Sequence, residues 1–133
     1  MTFVHELRVR YGECDPQGIV FNANYLLYFD VAFTEFWRAR VGRWQEMVDL
    51  GVDAVVAEAN VRFRAPARFD DVLALEVATE QLGSTSTTTR IDVRRDGDLL
   101  VEGRLRHVFV DIQTWAKTQM PEAIRARLAA PAS

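Results

Sequence analysis

Residues 12–41 read GECDPQGIVFNANYLLYFDVAFTEFWRARV, and the rest of the chain is organised around them. The first part has the chemistry of a loop. Asp15 precedes Pro16, a common pairing in turns, and Gly18 allows a positive φ or a close backbone approach. Asn22 or Asn24 can cap the helix that follows. That helix runs to about Val41, where Gly42 weakens it, and it is unusually apolar. Leu26, Leu27, Phe29, Val31, Phe33, Phe36, Trp37 and Val41 cover most of its circumference. Asp30, Thr34 and Arg38, with Glu35 beside them, leave a narrow polar stripe. A helix apolar on nearly every side needs burial on most sides, so a sheet wrapped around it is expected.

Working outward, residues 3–11 alternate. Phe3, Leu7, Val9 and Tyr11 face one way, with Glu6, Arg8 and Arg10 opposite, as in a half-buried strand. After the helix, Trp44 and Met47 suggest a further turn or two. Residues 54–65 alternate again, with Val55, Ala57, Ala59, Val61, Phe63 and Ala65 on the apolar face. Leu73, Leu75 and Val77 mark a third strand, ending near Gln81. Thr85, Thr87, Thr89, Ile91 and Val93 mark a fourth, rich in β-branched residues. Asp96-Gly97 is a strong hairpin signal, and Leu99, Val101, Leu105, His107 and Phe109 share one face of a fifth strand. Pro121 opens a short final helix at its first position, with Ile124 and Leu128 as its contacts; residues 129–133 are expected to fray. Hairpins among the last four strands predict an antiparallel sheet. The fold class is α+β, five strands around one long helix.

Composition bounds the function. A length of 133 residues suits a single domain, and 49% hydrophobic residues is globular rather than disordered. The net charge of −3 argues against a general nucleic-acid binder. The single cysteine, Cys14, excludes an internal disulfide and a Cys-rich zinc site, and His5 and His107 lack metal-ligand spacing. The N-terminus has no long apolar run of the secretory type, which predicts a cytoplasmic location. No stretch reaches the length of a membrane span.

The loop Asp15-Pro16-Gln17-Gly18-Ile19-Val20-Phe21-Asn22-Ala23-Asn24-Tyr25, set between a strand and an apolar helix, resembles the signature of the 4-hydroxybenzoyl-CoA thioesterase family of hotdog-fold enzymes. Arg62 to Asp71 is similar to that family's second strand and turn, so the resemblance covers nearly the whole chain. It implies hydrolysis of an acyl- or aryl-CoA thioester, with no metal or redox cofactor, CoA being part of the substrate. It implies that Asp15 is the catalytic carboxylate, as nucleophile or general base, and that the backbone N–H of Asn22 polarises the thioester carbonyl. A helix N-terminus, with free N–H groups and partial positive charge, suits that task. Gly18 can also make room for the thioester, and Tyr25, at the helix start, either lines the acyl pocket or serves as a core or interface aromatic. Ser84 and Thr85 meet the pantetheine or acyl end from a neighbouring subunit. The resemblance also implies a homodimer or homotetramer with active sites at the subunit boundary. Thioesterases associated with the Tol-Pal cluster carry a histidine where this chain has Asn22, so histidine assistance there is absent.

Two alternatives stand beside this reading: a thioesterase acting on acyl carrier protein, and a non-catalytic acyl-CoA-binding module, which would have no use for the carboxylate. Alternation points Cys14 away from Asp15, as a buried inert thiol, and His107 reads as a hydrogen-bonded core histidine. Arg62, Arg64, Arg68, Arg94 and Arg95 are candidates for the CoA phosphates, against a plain role on a solvated sheet face.

Overall fold

A computed structural model describes residues 2–130. The elements run β1 (Phe3–Arg8), a 3-10 turn (Tyr11–Glu13), α1 (Asn24–Arg40), α2 (Trp44–Asp49), β2 (Val52–Phe63), β3 (Val72–Leu82), β4 (Ser86–Arg95), β5 (Asp98–Asp111) and α3 (Glu122–Ala129). The five strands form one antiparallel sheet in the order β1-β3-β4-β5-β2, with α1 laid across it, as expected. Asp96 and Gly97 both have positive φ (51° and 86°), so β4 and β5 are joined by the two-residue turn their sequence predicts.

Period-2 patterning places the sheet's inner face. Leu73, Leu75 and Val77 from β3, Ile91 and Val93 from β4, and Val101, Leu105 and Phe109 from β5 are all buried against α1. The helix answers with Tyr25, Tyr28, Phe29, Ala32, Phe33, Phe36 and Trp37, a strict alternation of three- and one-residue steps. At one point helix and sheet meet with no room for a side chain. A β-carbon on Gly103 would overlap the Phe29 ring. Past the helix, Gly42 (φ 132°) turns the chain into α2, whose Trp44 ring lies 4.8 Å from that of Trp37.

Several expectations are corrected. The helix is not enclosed on most sides: Leu26, Leu27 and Val31 look outward, with Leu27 half exposed at 51%. The sheet covers one face of α1, and apolar residues on the other face stay in contact with solvent. Residues 54–65 do not bury their alternating face either. β2 is an edge strand, a bulge between Val56 and Glu58 breaks the alternation, and Phe63 remains 56% exposed. The link from β2 to β3 is not a hairpin. It carries the chain from one side of the sheet to the other, so that β2 pairs with β5 and β3 with β1. Tyr11 leaves the strand for the 3-10 turn and is 80% exposed, edge-on to Phe69.

Neither Asn22 nor Asn24 caps α1 through its side chain. Ala23 holds the N-cap position, and the entry is closed by backbone bonds from Asn24 N–H to the Phe21 carbonyl and from Tyr25 N–H to the Asn22 carbonyl. Pro121 stands one residue ahead of α3 rather than at its first position; Ile124 is buried and Leu128 packs against the core, as expected. Of the tail expected to fray, residues 131–133 lie outside the described residues. Among the described residues no helix is long and apolar enough to cross a membrane.

Candidate active site

The loop between β1 and α1 is a small hairpin stitched to the rest of the chain at both rims. Cys14 pairs with Val20 and Ile19 pairs with Arg68 in antiparallel bridges, while Val20 N–H donates to the Ala67 carbonyl at 2.9 Å. At its tip, Gly18 N–H donates to the Asp15 carbonyl and Asp15 N–H to the Ile19 carbonyl, both at 2.9 Å. Gly18 sits at φ 79° with open space where a β-carbon would be, so backbone conformation rather than crowding demands glycine.

Asp15 is half-buried. Its Oδ1 accepts the Gln17 N–H at 2.8 Å, the turn role read from the sequence, and Oδ2 has no partner among the described residues. The side chain borders an open cleft of about 400 Å³. One wall is made by Asp15, Asn22 and Tyr25, the other by Phe63, Arg64 and Pro66 at the end of β2. Tyr25 is buried and packs edge-on against Phe63, ring centroids 5.6 Å apart. Burial pushes its phenol above the ordinary tyrosine range, against a backbone hydrogen bond at Ala67. Asn22 is exposed at the helix entry, and its N–H has no acceptor among the described residues. Three expected site residues thus share one cleft: Asp15, Asn22 and Tyr25. Gly18 shapes the loop that carries the first two, and Tyr25 stands on the first turn of α1.

Ser84 and Thr85 are not brought there. Their carbonyls accept from Met120 N–H and Phe109 N–H, at the start of β4. The end of β4 is the one near the cleft, where Arg95 reaches the Pro66 carbonyl at 3.2 Å. A ten-residue strand spans about 30 Å. Within one chain, then, these residues and Asp15 lie at opposite ends of the sheet.

The other candidates divide clearly. Cys14 directs its sulfur toward the Arg10 carbonyl, at 3.9 Å, and does not line the cleft. Arg64, Arg94 and Arg95 are held by Glu102, Glu76 and Asp71 at 2.7–2.8 Å. Arg62 and Arg68 are exposed and form no ion pair among the described residues. His107 is in the core as expected, but not hydrogen-bonded as expected. Its ring stacks on Phe33 at 4.1 Å, Nδ1 has no partner among the described residues, and burial lowers its pKa to about 4. Among the described residues no three His, Cys, Asp or Glu side chains converge to hold a metal ion.

One group went unnoticed in the sequence. Glu13 is a buried carboxylate two residues before Asp15. Its side chain takes hydrogen bonds from Arg10 and from the Tyr28 hydroxyl, which is 2.8 Å away. Burial pushes its pKa up, but these partners outweigh that and hold it below the usual carboxylate range. The signal that could have found it was weak: an acidic residue next to a motif, with a tyrosine at the right place on the following helix. Alternation assigns Phe63 to a core face, and its place in the cleft follows only from β2 being an edge.

Comparison with known proteins agrees with this architecture. The profile of the thioesterase-like superfamily matches residues 9–128. An acyl-CoA thioester hydrolase of Escherichia coli, YbgC, is 31% identical over 121 residues, covering 90% of each chain. A 4-hydroxybenzoyl-CoA thioesterase of Pseudomonas sp. strain CBS-3 is 32% identical over 91 residues, 66% of this chain and 64% of that one. Among solved structures, the BH1999 gentisyl-coenzyme A thioesterase superposes with a TM-score of 0.86 at 25% identity, over 96% of this chain and 100% of that one. The chain belongs to the thioesterase-like superfamily, with the hotdog fold, and its enzymatic class is thioester hydrolase.

Proposed function

We propose that the protein hydrolyses acyl-CoA thioesters in the cleft beside Asp15. The observation that carries this is that one partly apolar cleft is lined by both Asp15, whose Oδ2 has no partner among the described residues, and Asn22, whose backbone N–H has no acceptor among them. The Asn22 N–H receives the thioester oxygen and stabilises the negative charge that grows on it. Asp15 either attacks the carbonyl carbon, giving an anhydride that water then opens, or draws a proton from a water that attacks in its place. In both routes the carbon–sulfur bond breaks and CoA leaves as thiolate, to be protonated from solvent. Tyr25 and Phe63 give the acyl group an apolar wall.

The acting species in this reading is a homodimer or homotetramer. Supporting it are the long unpaired edge of β2, with Val56 52% exposed, and the outward Leu26, Leu27 and Val31 of α1. A neighbour seated on β2 meets Phe63 and so walls the cleft. Ser84 and Thr85 reach a cleft only if it is a neighbour's.

The test is thiol release from a panel of short, long and aromatic acyl-CoAs by wild type and Asp15→Asn. Asparagine still accepts the Gln17 N–H and lacks the charge. A loss of roughly 10²-fold or more in kcat, in a folded variant, is expected. Equal rates would make Asp15 a turn residue and end this mechanism. Binding of acyl-CoA without turnover by either protein would instead mark a binding module.

A further inference from the structure

We infer that Glu13 is a positioning residue that holds the carboxylate of Asp15 and the N–H of Asn22 in one fixed geometry, an inference that rests on the reading of those two groups given above. Every acceptor position of Glu13 is taken. Oε1 accepts the Tyr28 hydroxyl and the Arg10 N–H, each at 2.8 Å. Oε2 accepts the Arg10 guanidinium at 2.6 and 2.9 Å. The backbone carbonyl of the same residue accepts the Phe21 N–H at 2.9 Å and the Asn24 side-chain amide at 2.8 Å.

None of these donors lines the cleft itself: Arg10 and Tyr28 border a separate recess together with Glu13, so the network acts on the loop and not on the substrate. Arg10 ends the approach from β1. Phe21 and Asn24 bracket Asn22. Tyr28 stands on the buried face of α1. Asp15 follows Glu13 by two residues, so the carboxylate side chain fixes where the loop starts and its carbonyl fixes where the loop returns. Rotating Glu13 out of this place moves Asp15 and the Asn22 N–H relative to each other. A buried charge with one partner removed is costly, which explains why so many donors are gathered on it. Stability alone would not require its carbonyl to clasp residues on both sides of the proposed oxyanion donor, Phe21 just before it and Asn24 two positions after.

Two variants separate positioning from folding. Glu13→Gln keeps the volume and can still accept the Tyr28 hydroxyl, but turns an amide toward the Arg10 guanidinium. Tyr28→Phe leaves the charge pair intact and removes one donor. In each, steady-state acyl-CoA hydrolysis and amide hydrogen exchange are measured on the full chain. The expected result is a kcat lowered about 10- to 100-fold with KM within about two-fold. Exchange at the Phe21 N–H speeds up, while exchange at Leu75 and Ile91 stays as in wild type. Combined with Asp15→Asn, Glu13→Gln costs less than about two-fold more, because the two act as one unit.

An unchanged kcat in folded variants, or full additivity with Asp15→Asn, overturns the inference. Should Asp15→Asn keep the wild-type rate, the reading of Asp15 falls on its own. The exchange data then decide the latch separately: faster exchange at Phe21 upholds it, and unchanged exchange overturns it.

Discussion

Acidification is predicted to weaken the fold by about 3 kcal/mol through His107 alone. The imidazole projects from β5 into the core against α1, stacked on Phe33, with no partner at Nδ1 among the described residues. Asp30 borders the same recess, but burial alone sets the direction: the pKa falls from 6.5 to about 4. Above pH 6.5 the imidazole is neutral in both states and contributes nothing. Between 6.5 and about 4 the unfolded chain binds a proton that the folded chain refuses. Stability therefore falls with pH by up to about 1.4 kcal/mol per unit, reaching about 2 kcal/mol by pH 5. Below about 4 both states are charged and the loss levels off. The assay is urea unfolding at fixed protein concentration, at several pH values between 7 and 4, for wild type and His107→Phe. Phenylalanine keeps the stack on Phe33 and cannot titrate; any strain from its larger ring is the same at every pH. Other acidic groups, such as Glu13, titrate in both proteins and cancel. Curves that run parallel across the range would refute the reasoning, as would an imidazole that titrates at its ordinary value in the folded protein by NMR.

Three other perturbations have expected outcomes. Gly103→Ala drives a methyl into the Phe29 ring and should lower unfolding free energy by about 1–3 kcal/mol, read as a lower urea midpoint at unchanged slope. Gly18→Ala forces a β-carbon onto a backbone at φ 79°, costing about 1–2 kcal/mol, and should reduce kcat along with stability because it strains the turn that presents Asp15. Val56→Asp places a charge on the open edge of β2; the chain should keep its fold while sedimentation shows a smaller assembly than wild type.

What the sequence made legible was local. Alternation in residues 73–77, 87–93 and 101–109 located three strands because each has a covered face, and Asp96-Gly97 named its turn through φ alone. The motif around Gly18 likewise advertised a loop, since positive φ is written in residue type. The misreadings came from contacts between distant parts of the chain. Val55 to Ala65 alternates like a covered strand, but whether anything covers it depends on strand order, and β2 lies at the edge. Leu26, Leu27 and Val31 thickened the apolar stripe of α1 and hid the cleaner pattern from Tyr25 to Trp37 that the sheet selects. Glu13 carries no periodic signal at all. Its burial is made by Tyr28, fifteen positions on. His107 was correctly placed inside, yet the lack of a partner for its ring nitrogen is a property of its surroundings.

The paired indoles of α1 and α2 give the protein a built-in optical probe. Trp37 is buried and its Nε1 has no acceptor among the described residues, Trp44 donates to Asp53 at 3.0 Å, and the two rings nearly touch. Trp115 stands apart at 63% exposure. A collisional quencher should therefore reach Trp115 most readily, half-buried Trp44 less, and spare Trp37. Emission that survives quenching reports on the junction of the two helices, and separation of α2 from α1 should register as a red shift.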